Sequence, residues 1–254
     1  MVSLFTLLDL RNVLLKPGCP ICQIRKKSVR RYIDVLVYER VNDVDPRIRY
    51  REGMGYCPEH TRLVAATGQK TEEKPREMNI LYKSLAGFVK EVISEYPIPR
   101  KRPNLLRLVI LRLFRSRFSL ISTKDLTSKS TCRICQIADE SALLGLETLM
   151  QCLQDPREQV YTLFPNSDGI CLPHLRTALQ VYAARYPSAT LILKDYAVNC
   201  LQHWEQDMGE YIRKQALQDR HEKVLPEEET AWFHAVAFFT GDNPSTVAIK
   251  LPKR

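Results

Sequence analysis

Residues 18–22 read GCPIC and residues 55–60 read GYCPEH; the two phrases return as TCRIC at 131–135 and GICLPH at 169–174. Between Cys22 and Cys57 lie 34 residues, and between Cys135 and Cys171 lie 35. Both intervals contain an Asp-Pro-Arg, at Asp45–Arg47 and Asp155–Arg157. Both place a glycine, Gly55 or Gly169, two positions before the third cysteine. Agreement in ligand type, order and interval reads as an internal repeat of about 113 residues.

Three thiolates and one imidazole complete a tetrahedral zinc site. The sequence therefore predicts two structural zinc ions, one held by Cys19, Cys22, Cys57 and His60, the other by Cys132, Cys135, Cys171 and His174. The three-residue spacing of Cys57 and His60 sets both on one face of a helix turn, where the positive end of the helix favours a thiolate. Disulfides fit less well, because two histidines stand at ligand spacing and a cytoplasmic location, the expected one, keeps thiols reduced. A thioredoxin-like pair lacks its βαβ surroundings, and four protein ligands leave a catalytic zinc no open position. Loading both sites lowers the formal charge from +9 to about +7. Cys200 and His203 form a further Cys-x-x-His, read as part of a core stripe.

Helical periodicity fills the intervals. Apolar positions such as Ile21, Ile24, Ile33, Leu36 and Val37 follow the first Cys-x-x-Cys; Ile134, Ile137, Leu144, Leu149 and Leu153 follow the second. Asp-Pro is expected to end each of these helices. Each Cys-x-x-His opens another, with Pro58 in its first turn and Gly68 at its end. A third helix carries Met78, Leu81, Leu85, Phe88, Val89, Val92 and Tyr96 in one half, and Ile192, Tyr196, Cys200, Trp204, Met208, Tyr211 and Ile212 in the other. A last helix near Pro226–Thr240, AWFHAVAFF at its centre, is apolar on nearly every side and is expected to be buried between the halves. The fold expected is mainly all-α: two pseudo-repeated helical halves, each clamped by a CxxC…CxxH zinc site, with a buried C-terminal helix. The division expected is 1–96, a linker at 97–130, and 131–254.

The charge is uneven. Residues 97–130 hold 9 Lys+Arg against 1 Asp+Glu, whereas 131–254 hold 12 against 16. That basic stretch, with Arg100, Lys101, Arg102, Arg107, Arg112, Arg115 and Arg117, is the candidate surface for an anionic partner: a membrane surface, a nucleic acid or an acidic protein. No segment reads as a transmembrane span. The N-terminal run lacks a basic start and is broken by Asp9, Arg11 and Asn12, so it reads as an amphipathic helix and not as a signal peptide. No phosphate loop, nucleophile elbow or paired-carboxylate constellation stands out.

The duplicated CPxC…GxCPxH units, the basic proline-containing linker and a closing Trp-bearing helix ending in glycine together resemble a prokaryotic family of unknown function. The resemblance covers most of the chain. Its motif positions are Cys19, Cys22, Cys57, His60, Cys132, Cys135, Cys171 and His174, with Arg133 replacing the proline of the first copy and Pro173 displaced by one place. It implies an architecture and no activity. The functional expectation is a non-enzymatic zinc-stabilised scaffold or interaction protein; the alternative is an enzyme whose site lies in the groove between the halves.

Overall fold

Four helices begin immediately after a cysteine. The computed structural model describes residues 4–69, 75–94, 131–216 and 221–241. Its helices are α1 (Leu4–Leu14), α2 (Pro20–Val35), α3 (Val44–Glu52), α4 (Pro58–Gln69) and α5 (Pro75–Ser94), then α6 (Arg133–Gln154), α7 (Gln159–Leu163), α8 (Leu172–Thr177), α9 (Pro187–Lys214) and α10 (Pro226–Thr240). Single π-helical turns extend α2 through Leu36–Arg40 and α8 through Ala178–Tyr182. Among the described residues there is no strand, as the all-α expectation required.

At the start of α2, α4, α6 and α8 the cysteine's own carbonyl accepts the first helical hydrogen bond. Gln23 donates to Cys19, Thr61 to Cys57, Gln136 to Cys132 and Leu175 to Cys171, at 2.8–3.2 Å. Pro20, Pro58 and Pro173 occupy first-turn positions, where an amide hydrogen has no helical acceptor to lose.

Contacts group the chain into two compact units, residues 1–28 with 137–254 and residues 29–136. These cut across the division at 96 and 130 that composition suggested. In the first unit, Leu10 and Leu14 of α1 and Ile21 and Ile24 of α2 bury against Leu146, Leu149, Met150 and Leu153 of α6, with Phe164, Leu193 and Phe238 completing the core. Arg11 of α1 reaches Glu158 at the start of α7, 3.3 Å away. The second unit buries Ile33, Leu36 and Val37 with Val64 of α4 and Leu81 and Val92 of α5. Tyr50 of α3 is 2% exposed and packs on Tyr56 and Tyr82, ring centres 4.7 and 6.3 Å away.

Several expectations are corrected. Asp155-Pro156 does follow the end of α6, but Pro46 lies inside the first turn of α3; the preceding helix has already ended through its π turn at Arg40. Gly68 does stand at the end of α4, one residue before its last, and is buried where a β-carbon would strike Met78. Ile212 is 70% exposed, off the buried face of α9 that Ala189, Leu193 and Ala197 define. The closing helix forms over Pro226–Thr240 as read, yet it is not buried all round. It packs against α9 and α8 within the first unit, and only Glu228, Ala231 and Phe238 are buried while Trp232 and Phe239 stay about half exposed. The basic cluster Arg100, Lys101, Arg102, Arg107, Arg112, Arg115 and Arg117 lies outside the described residues.

Candidate metal centres

All eight predicted ligands are gathered into two Cys/His clusters, but not as the spacing was read. Cys19 and Cys22 meet Cys171 and His174, and Cys57 and His60 meet Cys132 and Cys135. The pairing is nested: an outer centre closes the span from Cys22 to Cys171, and an inner centre closes the span from His60 to Cys132. Each centre lies within one compact unit, the outer in residues 1–28 with 137–254 and the inner in 29–136. The expectation of one self-contained quartet per half is overturned. Spacing picks out the candidate ligands; it carries no information about which helix ends converge.

Each centre is the meeting point of two helix N-termini, α2 with α8 and α6 with α4. In every pair the first ligand is the residue capping the helix and the second sits three places later, one turn in. Sulfur thus takes the place that a serine or aspartate oxygen usually holds, near amides with no helical acceptor and at the positive end of the dipole. Backbone amides of Cys57, Cys135 and Ile134 reach the Cys132 thiol. Gly55 and Gly169 hold φ of +95° and +68°, which lets the chain turn sharply into each Cys-x-x-His. In the outer centre Asp168 adds a tie: its carboxylate accepts the Gly18 amide hydrogen at 2.6 Å, pinning the loop before α8 to the loop before α2.

The spacings test whether a metal fits. Tetrahedral zinc, with Zn–S of about 2.3 Å and Zn–N of about 2.0–2.1 Å, demands S···S edges near ~3.8 Å and S···N edges near ~3.6 Å. In the outer centre Cys22 and Cys171 sulfurs are 3.7 Å apart, and His174 Nδ1 lies 3.5, 3.5 and 3.1 Å from Cys19, Cys22 and Cys171. In the inner centre Cys57 and Cys135 sulfurs are also 3.7 Å apart, and His60 Nδ1 lies 3.2, 3.6 and 3.3 Å from Cys57, Cys132 and Cys135. A disulfide needs about 2.05 Å between sulfurs, and all eight cysteines are free thiols. The donor sets and their edges suit a thiolate-preferring tetrahedral ion.

Crowding three sulfurs also polarises them. Burial raises the Cys19 pKa, but hydrogen bonds from Cys171, Cys22 and His174 outweigh it and hold the thiol well below its usual range. Its neighbours move the other way. The hydrogen bond with Cys19 pushes Cys171 up to about 12, and hydrogen bonds with Cys171 and Cys19 raise Cys22 further. In the inner centre burial and then Cys57 push Cys135 up to about 12, while Cys132 is lowered because those backbone and thiol hydrogen bonds overcome its burial. Protons alone let one sulfur ionise at its neighbours' expense; a divalent cation lets all three ionise together.

Gly241, which the sequence marks only as the end of the closing helix, closes the outer centre. It ends α10 in the left-handed region at φ +81°, its amide bonded to Ala237. A β-carbon there would sit 2.6 Å from Cys22 Sγ and 3.2 Å from Cys171 Sγ. By contrast Cys200 and His203 join neither cluster. Cys200 hydrogen-bonds Tyr196, and His203 pairs with Asp207 at 3.3 Å.

A family model described as "Family of unknown function (DUF6062)" matches residues 10–216. The chain belongs to this family. All eight candidate ligands of the DUF6062 chain fall inside the matched span, whereas α10 and Gly241 fall beyond it. A stretch of 84 residues is 30% identical to the "Uncharacterized 23.9 kDa protein in xynA 3'region" of Caldicellulosiruptor sp. (strain Rt8B.4). The similarity covers 33% of this chain and 38% of that protein. No solved structure matches. Among the described residues no helix is long and apolar enough to cross a membrane.

Proposed function

We propose that this is a non-enzymatic helical scaffold held by two structural zinc ions. The carrying observation is that each cluster supplies four protein donors at tetrahedral edge lengths, which leaves no coordination position for water or substrate. Helix N-termini and capping sulfurs supply the electrostatics, so the metal's work is to fix two helix starts that are remote in sequence. Elemental analysis of the purified chain should return two zinc ions per chain. Exchange with cobalt should give sulfur-to-cobalt charge-transfer bands and tetrahedral ligand-field bands. A single metal, or octahedral cobalt spectra, would reject the structural-zinc reading.

The charge distribution favours an anionic partner for this scaffold. Residues 29–136 hold 22 Lys+Arg against 12 Asp+Glu, while the rest of the chain holds 16 against 17. Residues 97–130 supply most of that excess. Binding to duplex DNA should fall steeply with salt, whereas binding to anionic vesicles should partly survive it through Leu105, Leu106, Ile110 and Phe114. Replacing Arg107, Arg112 and Arg115 by Gln should weaken whichever mode operates. An unchanged affinity for both ligands would remove this stretch from the proposal.

A further inference from the structure

The first unit carries a hollow of about 210 Å³ beside the outer centre. Two helices line it with rings. Tyr196 and Trp204 share one stripe of α9, and His234 and Phe238 stand one turn apart on α10. Trp204 lies 6.0 Å, centre to centre, from both α10 rings, and its plane is 12° from that of His234 and 60° from that of Phe238. The rings therefore border the hollow from more than one direction. The lining continues through Ile170 to Cys19 and Cys171 of the outer centre.

The loop before α8 brings one charge to this lining. Asp168 is exposed, and its carboxylate accepts the Gly18 amide hydrogen through Oδ2, which leaves acceptor capacity on a group that offers about four lone-pair sites. The loop itself is well tied. Tyr196 donates to the Ser167 carbonyl, while Ser167 Oγ donates to the Phe164 carbonyl at 2.7 Å and accepts the Gly169 amide hydrogen at 3.1 Å. Burial raises the pKa of the Tyr196 phenol and of the Cys200 thiol, and the Asp168 charge raises both further, so this carboxylate acts on the α9 side of the hollow. No Lys or Arg is among the described lining residues. Three thiolates, a neutral imidazole and a zinc ion would add one further negative charge at the outer centre.

We propose that this hollow binds a small, freely soluble quaternary ammonium ion, with Trp204 as its main aromatic contact and Asp168 as its counter-charge. A primary ammonium carries three N–H donors that each need an acceptor, and one carboxylate does not supply them. A quaternary ammonium carries none. It needs apolar contact and a negative potential at the same place, which aromatic rings and a nearby carboxylate supply together, tryptophan best among the rings. An anion would meet the Asp168 charge with no basic side chain among the described lining residues to offset it. The volume is below the usual range of about 300–1,000 Å³ for drug-sized ligands, which selects a cation of choline size.

The test titrates the full, metal-loaded chain by calorimetry with choline and, separately, with dimethylbutanol, the neutral alcohol in which carbon replaces the ammonium nitrogen. Saturable binding of choline is expected, with Kd below about 10 mM, and the alcohol should bind about tenfold more weakly or worse. Trp204→Leu should weaken choline about tenfold or more while both metals are retained. Asp168→Asn, which keeps an acceptor for the Gly18 amide, should do the same. Asp195→Asn, at an exposed position of α9 outside the hollow, should bind like the parent. No saturation with choline, equal affinity for the alcohol, a metal-loaded Trp204→Leu or Asp168→Asn that binds like the parent, or an equal loss in Asp195→Asn would overturn the proposal. The comparison of choline with the alcohol needs no variant, so it decides even where a substitution unfolds the chain or sheds a metal. Metal content is measured independently, so failure of choline binding leaves the zinc reading standing.

Discussion

One methyl group would drive Gly241 into the outer centre. An L-residue in the left-handed region costs roughly 1–2 kcal/mol, and here the added β-carbon also meets Cys22 and Cys171 sulfurs. Gly241→Ala should therefore lower the melting temperature and hasten zinc loss from the outer centre alone. Release to a chromogenic chelator should show one accelerated phase and one unchanged phase; two unchanged phases would mean that Gly241 does not press on the thiolates. The eight clustered Cys and His side chains were legible in the sequence as candidate ligands because i, i+3 spacing is local chemistry. The part played by Gly241 was not, because the sulfurs it covers lie 219 and 70 positions away along the chain. Gly55 and Gly169 fall between these cases. Their shared place before each Cys-x-x-His was visible, and the structure supplies the cause, a left-handed turn at both.

Elements were easiest to read where periodicity is strong and capping is local. The fifth helix, with its stripe from Met78 to Val92, and the ninth, beginning at Pro187, appear as their patterns require. The closing helix was placed correctly but buried too deeply. Its apolar residues surround the axis, yet a helix docked on one side of a core can hide only one stripe, here Ala231 and Phe238. Its hold on α9 is partly ionic. Lys214 Nζ lies 2.6 Å from Glu228, whose side chain is buried, and Glu228 also accepts the Leu225 amide hydrogen at 2.9 Å. Lys214, then the Leu225 amide, lowers the Glu228 pKa. The stabilisation is therefore full above the unfolded glutamate value of about 4.3 and is lost as pH falls through the lower folded value. Glu228→Gln should lower the melting temperature near pH 7 and flatten its fall in acid. If the parent and the variant lose stability in parallel between neutral pH and about pH 3, the pair does not hold α10.

At the scale of the whole chain, the nested pairing shows why spacing could not say which ligands share a metal. Closing spans of 148 and 71 residues instead of 34 and 35 adds about 2 kcal/mol of loop-closure entropy at most, because each doubling costs only about 0.6 kcal/mol. Core packing of the outer-centre helices outweighs so small a term: Leu10, Ile21, Leu146 and Leu149 are all fully or almost fully buried together. The two pairings make opposite predictions for double variants. Cys22→Ser and His174→Ala both strike the outer centre, so the combination should retain one zinc and destabilise little more than the worse single variant. Cys22→Ser with His60→Ala strikes both centres, so it should retain no zinc, with the two losses of stability roughly adding. One self-contained quartet per half would exchange these outcomes, since Cys22 would then share its metal with His60. Elemental analysis and thermal melts of the two double variants and three singles decide the matter. Two zinc ions lost in Cys22→Ser/His174→Ala, with one kept in Cys22→Ser/His60→Ala, would restore the sequential pairing and refute the nested one.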